Sequence, residues 1–292
     1  MECRLAKSSD IDQIIQIFKI SFGETDETLK IFFEEKFQLD KCVVCIVNER
    51  IVALLNMFNT KIVTSNHFEK AVYIYGAATH PEYRKKGYMS SLISYSHKLA
   101  YNRGHKYSIL LPESRTLYDY YKKFGYIDFF KVRFIDINSN EIIKYIITDN
   151  FNDYKPLSLD YMRDLRFNIC KDHIGTAMWN IKDIEYAINM NHKYGGEIVY
   201  SNEGYALCYV ANNNVLQVIE FMVTENDFNN LLTAIYKRYP NINYRFRLPV
   251  FTNYFSEKGE INTFGMLKPL NNDINCDIIN KSSYPYLGLT LD

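Results

Sequence analysis

Apolar and polar positions along the chain divide it into segments of different period. Ile11, Ile14, Ile15, Phe18 and Ile20 recur near helical spacing behind Ser8-Ser9-Asp10, so an amphipathic helix is expected through Phe22, with a second over Glu27 to Phe37. Two apolar runs, Cys42 to Val47 and Ile51 to Phe58, are split by Asn48-Glu49-Arg50 and predict a hairpin. Ala71 to Thr79 predicts a third strand that stops at His80-Pro81. After the basic stretch Arg84-Lys85-Lys86-Gly87, Met89, Leu92, Ile93, Ser96 and Ala100 return to helical spacing, up to Arg103-Gly104. A strand at Tyr107 to Leu111, a short helix around Leu117 to Phe124 and a strand from Tyr126 to Phe134 complete a βαβαβ order, which implies a mixed sheet covered by helices.

Residues 140 to 190 are largely helical by pattern, with polar breaks at Asp149-Asn150 and Lys171-Asp172, and Trp179 there reads as a packing anchor. A second α/β pattern follows. Glu197 to Ser201 reads as a strand, Tyr205 to Val210 and Val215 to Val223 as a hairpin, and Asp227 to Tyr239 as a helix. Strands around Tyr244 to Leu248 and Phe264 to Lys268 are expected to close this half. The last segment, Tyr284 to Asp292, is apolar almost to its end, which predicts an end tied into the structure.

Composition narrows the functional classes. With 34 basic and 34 acidic residues, the 292-residue chain has no net charge and no field of the kind that attracts nucleic acid or an acidic membrane. A hydrophobic content of 47% supplies a core, and the length exceeds the roughly 150 residues of one ordinary domain. The aromatic side chains fall mostly within apolar runs, so they read as packing and not as base-stacking platforms. No stretch approaches a membrane span and Met1 to Lys7 shows no apolar h-region, so the expected compartment is the cytoplasm. Six cysteines are too sparse for a disulfide scaffold. Cys42 and Cys45 have CxxC spacing but lie on an expected strand, where residues three apart face opposite ways, so no metal is expected.

The strongest chemical signal is the passage from strand to helix at Tyr75 to Met89, through a basic turn that contains Gly87. Backbone N–H groups at a helix N-terminus, flanked by cations, form an anion site that suits a pyrophosphate. Arg84-Lys85-Lys86-Gly87-Tyr88-Met89 resembles the R/Q-x-x-G-x-G/A acetyl-CoA motif of the GCN5-related N-acetyltransferase (GNAT) superfamily, with Met at the last position. Ser114 to Tyr126 resembles that superfamily's N-x-x-A-x-x-F-Y-x-x-x-G-F signature, with Tyr121 at its Tyr and Ser114 where Asn is usual. The wider layout resembles the two-domain Eis-type acetyltransferases without their sterol-carrier-like domain. The resemblance implies a GNAT fold, α/β with a mixed, splayed central sheet, over residues 1–138. It implies a second GNAT-like α/β half over 139–292, whose tail returns toward the active site.

The same resemblance implies direct transfer of an acetyl group from acetyl-CoA to a primary amine, carried by a small molecule or a peptide. Ala77, Ala78 and Thr79 are then expected to face the thioester, with a backbone N–H there polarising its carbonyl. Arg84, Lys85, Lys86, Gly87, Tyr88 and Met89 would hold the pyrophosphate, and Ser114 would lie near the pantetheine. Tyr121 would protonate the leaving thiolate, although outside the motif it is one aromatic among 25 tyrosines. An amine of ordinary pKa near 10.4 must lose a proton before attack, to a carboxylate or a water. Asp292, with its terminal carboxylate, is one candidate base, and a tail that merely completes a sheet is the alternative. Glu24 could attract a cationic acceptor or be a solvated loop carboxylate. His80 and Glu82 flank the turn, and a His before Pro reads as structural. Eis-type relatives assemble, so a homo-oligomer is compatible with this reading. The rival class is a non-catalytic acyl-CoA sensor or scaffold. A nucleotide enzyme of another kind is not expected, because GxGxxG and GxxxxGK[ST] are both absent.

Overall fold

A computed structural model describes residues 1–65, 67–147, 154–256, 259–271 and 277–289. In chain order the first elements are β1 (Glu2–Leu5), α1 (Ile11–Phe22), α2 (Asp26–Ile31), β2 (Cys42–Val47), β3 (Arg50–Val63) and β4 (Phe68–Thr79). Next come α3 (Tyr88–Asn102), β5 (Tyr107–Leu110), α4 (Arg115–Lys122), β6 (Ile127–Asp128), β7 (Lys131–Ile137), α5 (Ser139–Ile142) and α6 (Leu159–Cys170). They are followed by β8 (Ala177–Met178), α7 (Ile181–Lys193), β9 (Glu197–Tyr200), β10 (Gly204–Val210), β11 (Val215–Val223) and α8 (Phe228–Arg238). The last are β12 (Asn243–Leu248), β13 (Glu260–Thr263), β14 (Met266–Pro269) and α9 (Asp277–Lys281).

Contacts divide the chain into two compact units. The first is Met1–Ile62, Asn66–Asp128 and Gly265–Cys276, and the second is Val63–Ser65, Phe129–Phe264 and Asp277–Asp292. The sequence places a boundary at 138. By contacts the first unit ends at Asp128 and later regains a segment from near the end of the chain.

The first unit's sheet runs in the order β1-β2-β3-β4-β5-β14-β6. The pairs β1–β2 and β2–β3 are antiparallel, β4–β5 is parallel, and β14 lies antiparallel to both β5 and β6. A parallel step needs a crossover, and α3 supplies it. Its apolar stripe, Leu92, Ile93 and Ala100, is buried with Val43, Val52, Leu55 and Val72 of the strands. At the other end of the unit, Arg4 pairs with Asp10 at 2.6 Å, and the backbone N–H of Lys7 donates to the same carboxylate at 2.7 Å. That arrangement pins the turn into α1 and holds the Asp10 carboxyl below its usual range, chiefly through the Arg4 hydrogen bonds.

The second unit's sheet runs in the order β13-β7-β12-β11-β10-β9. Its only parallel step among the described pairs is β11–β12, crossed by α8. Leu231, Leu232 and Ile235 of α8 are buried with Val218, Phe221 and Phe246 of the sheet. Three antiparallel strands, a crossover helix, a parallel strand and an antiparallel neighbour thus recur in both units. The fold is the expected mixed α/β class with a second GNAT-like half.

Two expected strands come out differently. Tyr126 to Phe134 is not one strand: β6 belongs to the first sheet and β7 to the second, with the buried Phe129 and Phe130 between them. The stretch around Phe264 to Lys268 does not close the second half, because β14 enters the first sheet between β5 and β6. Both differences arise from pairings far apart in sequence, which leave no local periodicity to read. The apolar C-terminal segment is tied in as expected: Tyr286, Leu287 and Leu289 are buried, and Trp179 Nε1 donates to the Leu287 carbonyl at 2.9 Å.

Candidate functional site

The site grows out of an interruption in the first sheet. β4 and β5 pair in register at Ala71↔Tyr107, Val72↔Ser108 and Tyr73↔Ile109, and no further. β4 continues to Thr79 while β5 ends at Leu110. On its other side β4 stays engaged, since the His80 N–H donates to the Val52 carbonyl at 2.9 Å. N–H directions alternate along a strand, so those of Ala77 and Thr79 face the side where β5 has departed. A left-handed kink at Gly76, within the continuous strand β4, sets this geometry. Its φ of +56° is open to glycine, and a Cβ there would stand 3.0 Å from the Phe18 ring.

Beyond the open strand the chain turns sharply into α3. Arg84 Nε donates to the Thr79 carbonyl at 3.2 Å, drawing the turn back onto the strand end. Lys85 and Gly87 take the left-handed conformation, with φ of +62° and +82°. The space around Gly87 is open to 4 Å. No side chain caps the first turn of α3, and Arg84, Lys85 and Lys86 are exposed beside it. Free N–H groups, a positive helix end, three cations and room for phosphate oxygens fit a pyrophosphate. Tyr88 and Met89 pack against the core of the unit. The bulk of Met89, where the superfamily has Gly or Ala, is therefore accommodated by the core.

α4 brings Tyr121 to the same region. Tyr121, Ala77, Tyr88 and Met89 all belong to or pack on one core, and Tyr120 Oη lies 3.5 Å from Ser90 Oγ in the first turn of α3. Tyr121 is buried edge-on to Tyr120 and Tyr126, at centroid distances of 5.5 and 5.7 Å. Burial, with Tyr120 adding to it, pushes its phenol well above the usual range, so it stays protonated. Among the described residues nothing hydrogen-bonds its hydroxyl. Ser114 precedes α4 in extended conformation and is exposed, with Oγ 3.0 Å from Thr116 Oγ1. Glu24 is half-buried between α1 and α2. His80 stacks edge-on to Tyr83 at 5.7 Å. Asp292 lies outside the described residues. The sequence assigns no functional role to Gly76, Phe18, Ser90 or Tyr120. An isolated Gly inside a strand pattern was the one available signal for the kink.

Cys42 and Cys45 are both buried on β2. Among the described residues no group of three or more His, Cys, Asp or Glu is placed to hold a metal ion. No described helix is long and apolar enough to cross a membrane.

Comparison with known proteins agrees with this fold. Residues 2–127 match the family model of the acetyltransferase (GNAT) domain. A probable N-acyltransferase from Enterococcus faecalis superposes with a TM-score of 0.74 at 15% identity, over 92% of this chain and 72% of that one. A GCN5-related N-acetyltransferase from Anabaena variabilis gives 0.73 at 14% identity, over 92% and 73%. Eis1 from Mycobacterium abscessus gives 0.69 at 9% identity, over 93% and 74%. A search of curated proteins finds no significant match. Residues 2–127 are thus similar to GNAT acetyltransferase domains. The chain as a whole has a two-domain GNAT fold similar to that of Eis1.

Proposed function

We propose that this protein is an N-acetyltransferase that moves an acetyl group from acetyl-CoA directly to a primary amine. The observation that carries the reading is the end of the β4–β5 pairing at Tyr73↔Ile109 while β4 runs on to Thr79, beside the uncapped start of α3. When bound, acetyl-CoA supplies an acetyl group already activated as a thioester. The N–H groups of the first turn of α3, with Arg84, Lys85 and Lys86, hold its pyrophosphate. Ser114 stands at the approach to the pantetheine.

The N–H groups of Ala77 and Thr79, with Ala78 between them, donate to the carbonyl oxygen as negative charge develops there. The small side chains at 77 and 78 leave room for the approach. Tyr121, held neutral by burial, gives its proton to the sulfur as the C–S bond breaks and the C–N bond forms. The proton lost by the amine passes to a water or a carboxylate, and Asp292 is the candidate carboxylate. Glu24 draws the cationic amine in. No metal takes part. The reading implies a cytoplasmic enzyme of small-molecule or peptide amines, with no nucleic-acid or membrane partner and with a homo-oligomer compatible.

The test is release of free thiol from acetyl-CoA in the presence of a panel of amines. Tyr121→Phe is expected to lower kcat about 100-fold, with acetyl-CoA affinity unchanged. Equal turnover in the variant would remove Tyr121 from the mechanism. Binding of acetyl-CoA without thiol release from any amine would favour a sensor.

A further inference from the structure

The CxxC spacing of Cys42 and Cys45 does not describe the pair of thiols that the fold brings together. β1 is the edge strand of the first sheet and runs antiparallel to β2, in a register that sets Cys3 directly opposite Cys45. Directly opposed residues share a face of the sheet. Cys45 lies in the core that holds Leu92 and Ile93 of α3, and Cys3 packs against that same core.

The backbone shows which kind of pair this is. One residue beyond β1, the Ala6 N–H donates to the carbonyl of Cys42, its opposite in that register, at 2.8 Å. Hydrogen-bonded and non-hydrogen-bonded pairs alternate along an antiparallel ladder, so Cys3 and Cys45, three positions away, form a non-hydrogen-bonded pair. The backbones come closest at such pairs, to about 4.5 Å between Cα atoms, and a disulfide spans about 4.4–6.8 Å. The two thiols already hydrogen-bond each other. On its other side Cys45 faces Ala53 of β3, which offers no polar side chain to compete for the sulfur. Cys42 instead faces Asn56, and Cys170 and Cys208 are buried in the second unit. Cys45 is fully buried, whereas Cys3 is half-buried, so an oxidant reaches the pair at Cys3.

We propose that Cys3 and Cys45 are a redox-modification site, closing into a cross-strand disulfide when the protein meets a low-molecular-weight disulfide such as oxidised glutathione. Cys3 Sγ, as thiolate, attacks one sulfur of the oxidant, whose S–S bond breaks, and one half leaves as a thiol after taking a proton. Cys45 then gives up its proton and attacks Cys3 Sγ, displacing the other half as a second thiol. The protein thiols lose two electrons and two protons, and the oxidant is reduced to two thiols. Burial pushes both protein thiols up, Cys45 to about 12, so they are poor leaving groups and the bond reopens slowly once made. It fastens β1 to the sheet across a stretch of chain that contains α1 and α2. The site is independent of the acyl-transfer reading.

The test treats the full-length protein with oxidised glutathione, blocks remaining thiols with iodoacetamide in denaturant, and digests with trypsin without reduction. The expected product is Met1–Arg4 joined to Cys42–Arg50, separated again by dithiothreitol. Cys3→Ala should abolish it and Cys42→Ala should keep it. Amide exchange over Glu2–Leu5 should slow at least about tenfold on oxidation, and should not change in Cys3→Ala. Cys3 and Cys45 recovered alkylated, glutathione left on Cys3 without ring closure, or a bond that Cys42→Ala removes overturns the site. A linked pair with unchanged exchange overturns the fastening of β1.

Discussion

His97 lies on α3 with Nε2 3.0 Å from the Tyr126 hydroxyl, and that hydroxyl lies 2.6 Å from Ser108 Oγ. Burial, helped by the nearby Lys268 ammonium, lowers its pKa to about 4. The unfolded chain keeps the ordinary value near 6.5, so it takes up a proton that the folded state refuses as pH falls. Stability from this group is complete above about pH 6.5 and is lost as pH falls toward 4, by at most about 3 kcal/mol. Urea titrations between pH 7 and 4 should show that loss, and His97→Asn should flatten it. An unchanged slope in the variant would show that His97 is not its source. Nothing in the sequence marks His97, because its environment is made by Tyr126 and Lys268, which α3 does not contain. Arg84 to Gly87 was legible for the opposite reason. A basic, glycine-bearing turn before a helix states its own chemistry locally. Tyr121 is singled out only by the spacing of its motif, and its burial beside Tyr120 and Tyr126 sets it apart from an ordinary surface tyrosine.

At the scale of elements, the second unit shows how a tail is fixed. Arg166 of α6 and Glu220 of β11 are 1% and 0% exposed and pair at 2.9 Å. The Tyr286 hydroxyl donates to the other Glu220 oxygen at 2.9 Å, and Arg166 also donates to the Ala177 carbonyl at 3.3 Å. The Ala177 N–H donates to the Tyr286 carbonyl at 2.9 Å, which completes the attachment of the C-terminal segment. Removing one partner of a buried pair leaves an uncompensated charge, so Arg166→Met should cost about 3–5 kcal/mol in chemical denaturation. Adding Glu220→Leu should recover much of that, because two apolar side chains need no partner. A single-variant cost below about 1 kcal/mol would mean that water reaches Glu220. The apolar run from Tyr284 announced that this end is buried. It could not announce the partners, because the contacts join α6, β11 and the tail across long stretches of chain. Pattern reading reports which face of an element is apolar, and it is silent on which distant charge will meet it.

At the scale of the molecule, the two units are not successive lengths of chain. After the second unit's sheet is complete, the chain returns to the first unit as β14, which pairs Met266↔Leu110, Leu267↔Ile109 and Lys268↔Ser108 on one side and Met266↔Asp128 on the other. The Gly265 N–H also donates to the buried Tyr118 hydroxyl at 3.0 Å. A fragment of residues 1–138, the domain that the sequence delimits, would leave β5 with an open edge and β6 with no neighbour in its sheet. Buried Met266 would be missing from the core that holds Tyr118 and Tyr121 of α4, and buried Leu267 would be lost with it. Each unpaired buried backbone group costs about 1–3 kcal/mol, which exceeds the reserve of a small domain. The fragment should therefore be largely unfolded by circular dichroism and bind acetyl-CoA about 100-fold more weakly than the full chain, since only the folded fraction binds. Joining residues 1–128 through a short linker to 265–271 should restore both properties, with the linker's closure cost growing only slowly with its length. If the 1–138 fragment binds as tightly as the full chain, then β14 is dispensable and the first unit is already complete at β6.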